Sequence, residues 1–142
     1  MTINSFRGKY SFLSNFYFSP FKVKDKEYKT VEHYYQSQKT LDENEQEKIR
    51  NVKSPSEAKK LGKQVKIRVE WDFQKTRFMY IGLLSKFQQN KDLAKKLIDT
   101  GDSELIEGNN WHDTYWGVCN GVGKNTLGKL LMIIRSHLKE NK

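Results

Sequence analysis

The sequence contains a single cysteine, Cys119, among its 142 residues. One thiol excludes an internal disulfide and a zinc cluster built from several cysteines, so the pattern is typical of a cytoplasmic protein. Free cysteines are usually buried as small apolar side chains. We therefore expect Cys119 to serve packing rather than nucleophilic catalysis.

Long apolar runs are also missing. No stretch approaches the roughly 18 apolar residues that a membrane-spanning helix needs. The first residues, MTINSFRG, contain no apolar core of a secretory signal. We expect neither a membrane segment nor a leader. Only two prolines and nine glycines occur, which argues against a linker-like or low-complexity chain.

Positive charge and aromatic side chains are abundant. Lys and Arg number 26 against 17 Asp and Glu, a formal charge of +9, and 8 Phe, 7 Tyr and 3 Trp can supply a core. The charge could attract nucleic acid or a small phosphorylated substrate. Many of the lysines fall on predicted helix faces, where a solvated surface is the simpler interpretation. Charge alone does not identify the partner.

Local signals predict a mostly helical chain. Thr30 is a predicted N-cap for a helix reaching Lys39, and Ser54-Pro55-Ser56-Glu57 has the spacing of a capping box for a helix ending near Gly62. Further helices are predicted over residues 43–52 and over residues 91–100, the latter with Asn90 as its N-cap and Gly101 as its C-terminal cap. Apolar residues at helical spacing predict a helix over residues 71–89, at Phe78, Ile81, Leu84 and Phe87. A last helix is predicted from the apolar stripe Leu127, Leu130, Leu131, Ile134 and Leu138.

Strands are predicted mainly near the start. Residues 6–29 are rich in aromatics and predict short strands or a hairpin with a turn at Asp25-Lys26, and residues 105–107 predict one brief strand. No linker or repeat interrupts the chain. We therefore expect an α+β fold: one mostly helical domain over residues 1–142 with a few short N-terminal strands.

Two well-known motifs fail on spacing. Gly121-Val-Gly-Lys-Asn125 invites a P-loop interpretation, but Val118 stands where the first glycine is needed and Asn125 stands where Ser or Thr must follow the lysine. The three histidines, His33, His112 and His137, have no metal-ligand spacing. The sequence predicts no metal site and no cofactor.

Three weaker patterns remain. A glycine turn leading into a helix at Lys124-Asn125 could aim backbone N–H groups at an anion, although a simple helix cap explains it equally well. Asp113 and Trp116 precede that turn, with further aromatics that suit either a core or a stacking wall. Glu32, Gln36 and Lys39 share one helix face, as either a site or a solvated stripe.

Taken in order, several pieces of the chain resemble the YbiA/NADAR family over residues 6–138. No single piece is diagnostic, but their joint order and spacing is highly specific. They are Phe12–Phe16, Thr30–Lys39, Ser54-Pro55 with Ala58 and Gly62, Trp71 with Lys75 and Met79, Lys86-Phe87, Leu97 with Thr100-Gly101, Asp113–Gly117, Gly123–Met132 and Arg135.

The resemblance implies an N-glycosidase without a cofactor. YbiA-like members hydrolyse the N-glycosidic bond of phosphorylated ribosylamino-pyrimidine intermediates of riboflavin biosynthesis, whereas other NADAR members remove ADP-ribose from guanine bases of DNA or RNA. A third possibility is a non-catalytic module that binds ADP-ribose or nucleic acid. The presence of both Glu32 and Asp113 argues against it, because carboxylates beside an anionic ligand do not help binding alone. Val118-Cys-Asn120 depart from the family, where relatives often have more glycine or acidic residues, and this departure concerns the choice of substrate and not the reaction.

The resemblance and the chemistry together suggest roles for individual residues. Glu32 is the first choice for the carboxylate near C1 and Asp113 the second, and either Lys39 or Lys75 could instead capture C1 as a Schiff base. The substrate-binding candidates are Trp71 and Trp116 for stacking, Asn15 and Gln36 for the polar edge of the base, Arg7, Lys124 and Asn125 for the phosphate, and Phe16 and Gly117, which belong to family-like pieces.

Overall fold

Helices dominate the computed structural model, which describes residues 1–141, and the predicted α+β class is confirmed. The helices are α1 (Val31–Ser37), α2 (Glu43–Asn51), α3 (Pro55–Gly62), α4 (Trp71–Gln89), α5 (Lys91–Asp99) and α6 (Thr126–Glu140), with a 3-10 helix at Gly8–Leu13. The strands are β1 (Thr2–Ile3), β2 (Phe21–Val23), β3 (Lys26–Tyr28), β4 (Glu104–Leu105), β5 (Gly108–Asn109) and β6 (Val118–Cys119).

The strands form pairs at both ends of the sequence. The predicted hairpin is present as the antiparallel pair β2–β3, with its turn at Lys24-Asp25, one residue before the predicted position. Both turn residues have positive φ, as a two-residue hairpin turn of type I′ requires. The brief strand predicted at residues 105–107 is present as β4, which begins one residue earlier and pairs with β1. The strands β5 and β6 were not predicted, because two-residue strands are too short to show an alternating pattern.

The chain divides into two compact units, each described by itself below. The central unit comprises Asn15–Asn90, and the terminal unit comprises Met1–Ser14 together with the segment from Lys91 onward. Our expectation of a single domain over residues 1–142 stays a prediction.

In the central unit, α1 packs against α2, α3 and α4. All seven of its residues are buried, including Glu32, His33 and Gln36. The predicted cap is confirmed, because Thr30 Oγ1 accepts a hydrogen bond from the backbone N–H of His33 at 3.1 Å. The helix ends at Ser37, two residues before the predicted end. A polar sequence buried on every side is unusual for a helix and points to a site.

The capping box of α3 is also confirmed. Ser54 Oγ accepts from Glu57 N at 3.1 Å and donates to Glu57 Oε1 at 3.1 Å, and Pro55 occupies the first helical position. The helix ends at Gly62 as predicted. These signals involve residues no more than three positions apart, so the sequence alone reveals them.

The buried face of α4 differs from the predicted one. The helix spans Trp71–Gln89 as predicted, but Phe78, Ile81 and Leu84 are only partly buried. At the C-terminal end of α4, the Asn90 side chain donates a hydrogen bond to Lys86 O and so caps α4. The sequence predicted Asn90 as the N-cap of α5. The buried residues are Trp71, Met79, Gly82, Leu83, Lys86 and Phe87. A lysine and a glycine occupy this face, so a search for apolar side chains misses it.

Lys86 is fully buried, with its ammonium nitrogen 5.0 Å from the centre of the Phe87 ring and 5.7 Å from that of Tyr17. Burial lowers the pKa of Lys86 from 10.5 to about 7, because the charged form loses hydration. A lysine whose pKa is lowered on folding reduces the free energy of unfolding at every pH at which that lysine is protonated in the unfolded chain. This reduction is complete below pH 7, becomes smaller as the pH rises, and is absent above pH 10.5.

We expect a stability difference that depends on pH between the wild type and the Lys86→Met variant. From pH 7 to pH 10.5, the wild type should gain on the order of 4 kcal/mol of unfolding free energy relative to the variant. Urea unfolding of both proteins at several pH values measures the difference, and the other titrating groups cancel. A difference that stays constant with pH would show that Lys86 keeps its ordinary pKa.

In the terminal unit, α6 packs against α5 and β4, and β1 pairs with β4 in parallel. The predicted stripe of α6 is buried at Leu127, Leu131 and Ile134 and partly buried at Leu130 and Leu138. Gly101 follows α5 with a φ of 66°, which glycine adopts readily, and its N–H donates to Ile98 O at 2.9 Å.

Among the described residues, none of the helices has both the length and the apolar character needed to cross a membrane.

Candidate functional site

The central unit places a buried carboxylate on α1. Glu32 is 7% exposed, and its backbone N–H donates to Asn15 O at 3.1 Å. Its Oε2 accepts a hydrogen bond from Gln36 Nε2 at 2.6 Å. Residues four apart on a helix are neighbours, so this contact follows directly from the sequence spacing. The pair is a buried, oriented carboxylate rather than the solvated stripe that was the alternative interpretation.

Lys39 follows α1 and is electrostatically coupled to Glu32. Burial lowers the pKa of Lys39, the nearby lysines Lys59, Lys63 and Lys75 lower it further, and Glu32 opposes the shift. A lowered pKa leaves more of the amine neutral and therefore nucleophilic. Two of the other predicted catalytic side chains, those of Glu32 and Lys75, thus act electrostatically on Lys39 within a single unit.

Lys75 differs from Lys39 in its surroundings. Its ammonium lies 3.8 Å from Asp72 Oδ1, and its side chain keeps 23% of its exposure. Because burial lowers the pKa of Lys39, Lys39 is the better candidate for a nucleophile of the two lysines proposed from the sequence.

Trp71 lies in an aromatic cluster of the central unit. Its ring centre is 5.2 Å from that of Tyr35 and 5.9 Å from that of Phe78, with which it stacks at 16°. Lys39 Nζ is 5.8 Å from the centre of the Tyr35 ring. Trp71 is buried, stacks on Phe78 and meets Tyr35 at a tilt, and its predicted role in stacking against the base stays a prediction.

Three buried polar atoms of the central unit have no hydrogen-bond partner within residues 1–141: Asn15 Oδ1, Gln36 Oε1 and Arg68 Nε. A buried unpartnered polar atom is costly, and such atoms are often found where a ligand binds. Asn15 is held by a contact of 3.4 Å from its Nδ2 to Met79 Sδ. Its Oδ1 therefore suits the predicted role of accepting a hydrogen bond from a base. Phe16, next to Asn15, is 41% exposed.

Asp113 in the terminal unit organises a turn. Its Oδ1 accepts from the N–H of Trp116 at 2.9 Å and from that of Tyr115 at 3.2 Å, and its own N–H donates to Asn109 Oδ1. An aspartate whose side chain accepts hydrogen bonds from the backbone N–H groups two and three residues later is common in turns. Asp113 therefore stabilises a turn in the structure, and its catalytic role stays a prediction.

The start of α6 is not an open anion site. The N–H groups of residues 124, 125, 126 and 127 donate to the carbonyl oxygens of residues 114, 117, 115 and 116, at 2.8–3.3 Å. The expected use of this helix start for a phosphate is therefore not supported, because protein carbonyls already take these donors. The Asn125 side chain links Leu105 O to Glu107 N, and Lys124 Nζ is 5.7 Å from the centre of the Tyr115 ring.

Three other predicted residues of the terminal unit have different surroundings. Trp116 is partly buried and meets the Tyr115 ring edge-on at 4.8 Å. A Cβ at Gly117 would overlap Glu107 and lie 2.8 Å from Asn109 Nδ2, so packing requires glycine there. Arg7 is exposed at the start of the 3-10 helix. Their roles in binding stay predictions.

Three residues near Glu32 and Lys39 were not predicted from the sequence. They are Tyr35, which contacts Trp71; Arg68, whose N–H donates to Lys39 O at 2.7 Å and whose guanidinium is 4.9 Å from the Phe78 ring centre; and Gly62, which faces Gln36. Tyr35 and Gly62 both lie within family-like pieces that were already identified, but neither was given a role at the site. Arg68 gave no signal, because it lies in an irregular segment far from α1 in sequence.

Neither unit shows a cluster of ligands for a metal ion. Within residues 1–141, no group of three or more His, Cys, Asp or Glu side chains has a suitable arrangement. Cys119 is buried, and its Sγ lies 4.0 Å from His112 Nδ1. That separation is longer than the 2.6–3.2 Å or so of an activated nucleophile and its base.

Comparisons with known proteins agree with the resemblance seen in the sequence. A family described as "NADAR domain" matches residues 4–139. The N-glycosidase YbiA of Shigella boydii is 42% identical over 132 residues, which cover 91% of this chain and 82% of that protein. A riboflavin biosynthesis protein of Vibrio vulnificus is 36% identical over 135 residues, covering 93% of this chain and 36% of that protein. The NMR structure of the Escherichia coli protein YbiA superposes with a TM-score of 0.89 at 38% identity, covering 99% of this chain and 85% of that one.

Proposed function

Because this chain belongs to the NADAR domain family, we propose that it is an N-glycosidase acting on a phosphorylated ribosylamino-pyrimidine of riboflavin biosynthesis. The names of the relatives support a hydrolase of N-glycosyl bonds, and the Vibrio vulnificus relative supports the link to riboflavin. The observation that carries the proposal is the buried Glu32 carboxylate, held by Gln36 and coupled to Lys39. A cytoplasmic location, predicted from the single cysteine, is part of the proposal.

The reaction explains why a buried carboxylate is needed. Breaking the C1–N bond builds positive charge on C1 and the ring oxygen, as in O-glycoside hydrolysis. A fixed carboxylate in a site shielded from water stabilises that charge strongly. In the direct route, Glu32 takes a proton from water as the water attacks C1, and the departing amine of the base gains a proton. The products are ribose 5-phosphate and the free aminopyrimidine.

A covalent route uses the same side chains. Neutral Lys39 attacks C1 of the opened ribosylamine, the C1–N bond to the pyrimidine breaks, and an imine joins Lys39 to the sugar. Water then adds to the imine, which releases ribose 5-phosphate and restores the amine. Glu32 exchanges the protons in both steps. The lowered pKa of Lys39 favours this route.

The charge around Lys39 supports a phosphorylated substrate. Lys59, Lys63 and Lys75 all act electrostatically on Lys39, and Lys59 and Lys63 are exposed. Several cations beside one carboxylate form a favourable environment for a phosphate and speed its approach. These lysines of the central unit replace the start of α6 in our proposal for phosphate binding.

ADP-ribosylated guanine in DNA or RNA is the competing substrate, since it also presents a ribose C1–N bond and the net charge of +9 suits nucleic acid. A parallel assay tests the choice. The protein is incubated with a ribosylamino-pyrimidine 5-phosphate and, separately, with ADP-ribosylated guanine DNA, and the released sugar is identified by mass spectrometry. We expect ribose 5-phosphate from the first and no ADP-ribose from the second.

The salt dependence provides an independent check of the same proposal. Activity on the small substrate should change little between low and moderate salt, whereas a nucleic-acid substrate contacting several phosphates would lose activity steeply. Release of free ADP-ribose with steep salt dependence would replace our proposal with the second function. Binding of ADP-ribose without release of any sugar would indicate a non-catalytic module.

A further inference from the structure

The nitrogen and the oxygen of the Gln36 side-chain amide have different surroundings. Its Nε2 donates to Glu32 Oε2 at 2.6 Å. Its Oε1 is buried, has no hydrogen-bond partner within residues 1–141, and faces Gly62 at the end of α3. The amide therefore lies between the carboxylate on α1 and the backbone of α3. The predicted role of Gln36 in reading the base stays a prediction.

The space for this amide exists because residue 62 has no side chain. A Cβ at Gly62 would overlap Gln36 Oε1, and it would lie 2.7 Å from Gln36 Cδ and 3.2 Å from Gln36 Cβ. Distances this short force the amide to move. Gly62 is helical rather than left-handed, so close approach and not backbone freedom requires glycine here.

We propose that Gly62 is a positioning residue for catalysis, which acts through Gln36 to hold the Glu32 carboxylate in one orientation. The inference rests on the proposed function, in which Glu32 works at C1. A glutamate side chain rotates about three bonds, and its last torsion is broad. The hydrogen bond from the Gln36 amide, whose position is fixed by the packing against Gly62, selects one orientation of the Glu32 carboxylate. Hydrogen bonds to a charged group are stronger than those between neutral groups.

The position of the carboxylate matters because catalysis depends on it steeply. A displacement of about 1 Å can lower a rate by about 100-fold. Binding of the substrate is less sensitive, because Gln36 and Gly62 act on Glu32 and not on the phosphate. A change at Gly62 should therefore lower kcat and leave KM nearly constant.

The test is the Gly62→Ala variant, assayed with a ribosylamino-pyrimidine 5-phosphate in both the wild-type and the Gln36→Ala backgrounds. In the wild-type background we expect kcat to fall by about 10- to 100-fold with KM within about threefold. In the Gln36→Ala background the two closest contacts of the added methyl group are gone and only the contact of 3.2 Å with the retained Cβ of residue 36 remains, so the methyl group should change kcat by less than about twofold. An equal loss in both backgrounds would overturn the inference.

Gly82→Ala is the matched control. A Cβ at Gly82 would lie 3.0 Å from Tyr34 Cδ2 and 3.3 Å from Val31 Cγ1, so it also crowds α1 but does not contact Gln36. We expect it to lower the stability and to keep kcat within about threefold. A loss of kcat equal to that of Gly62→Ala would mean that any displacement of α1 has this effect, which would refute a specific role for Gly62.

Two further variants complete the design. If Gly62→Ala does not fold, Gln36→Met replaces it, because methionine has nearly the same shape but no N–H donor. Its kcat should fall about tenfold at constant KM, and an unchanged kcat would overturn the inference. Glu32→Gln, measured in parallel, separates the two proposals. No release of ribose 5-phosphate by the wild type refutes the proposed function. Full activity of Glu32→Gln removes Glu32 from catalysis and the role of Gly62 with it, whereas an inactive Glu32→Gln with a fully active Gly62→Ala refutes only the role of Gly62.

Discussion

Replacing Glu32 with Gln is expected to lower kcat by about a thousandfold while the protein stays folded. The change removes the negative charge that the developing cation at C1 needs. It preserves the shape of the side chain and an oxygen that can still accept from Gln36 Nε2, a hydrogen bond of 2.6 Å in the wild type. Release of ribose 5-phosphate under saturating substrate measures kcat, and circular dichroism with thermal unfolding reports the fold.

Glu43→Gln is the control for this prediction. Glu43 is also a carboxylate in the first turn of a helix of the central unit, but it is exposed. Loss of its interaction with the helix dipole should cost about 0.5 kcal/mol of stability and leave kcat unchanged. If Glu32→Gln retains activity near that of this control, the catalytic carboxylate is another residue, and Asp113 is the next candidate.

The sequence predicted the helices best where a signal and its structural partner are close together in the chain. Thr30 caps α1 through the N–H of His33, and Ser54 and Glu57 cap each other at the start of α3. Each bond spans three residues, so the local sequence contains both partners. The contact between Glu32 and Gln36, four residues apart, belongs to the same class.

Contacts between helices that are distant in the chain could not be predicted from the sequence. Gly62 comes 26 positions after Gln36, and nothing in either segment shows that α3 crosses α1 at that residue. Lys86 occupies a core position of α4, which hydropathy assigns to solvent. Of the face predicted for α4, Phe87 is buried, whereas Phe78, Ile81 and Leu84 are only partly buried, because the buried face also contains a glycine and a lysine.

The glycine turn before α6 illustrates a different limit. Its sequence correctly indicated a tight turn leading into a helix, and residues 120, 121, 123 and 125 have positive φ. What the sequence could not reveal is the partner of the helix start. Carbonyl oxygens of residues 114–117 take the donors that a phosphate would need. An anion site and a packed loop require the same local sequence, and only tertiary structure separates them.

Borohydride added during turnover is expected to leave a covalent adduct on Lys39. The hydride reduces the imine between Lys39 Nζ and C1 to a secondary amine, which water no longer cleaves. The protein should gain the mass of one ribose 5-phosphate, less one water and plus two hydrogens, together with permanent loss of activity. Burial lowers the pKa of Lys39, so more of its amine is neutral at a given pH than in an ordinary lysine, and trapping should increase as the pH rises.

Two lysine-to-arginine variants assign the site of the adduct. Lys39→Arg keeps a positive charge but has no amine that can form an imine, so it should give no adduct and lose at least about 100-fold in kcat. Lys75→Arg retains the ion pair with Asp72 and should still be trapped at Lys39. An adduct on Lys75 would transfer the nucleophile to that residue. Full turnover with no adduct in the wild type would exclude the covalent route, and Glu32 would then activate water directly.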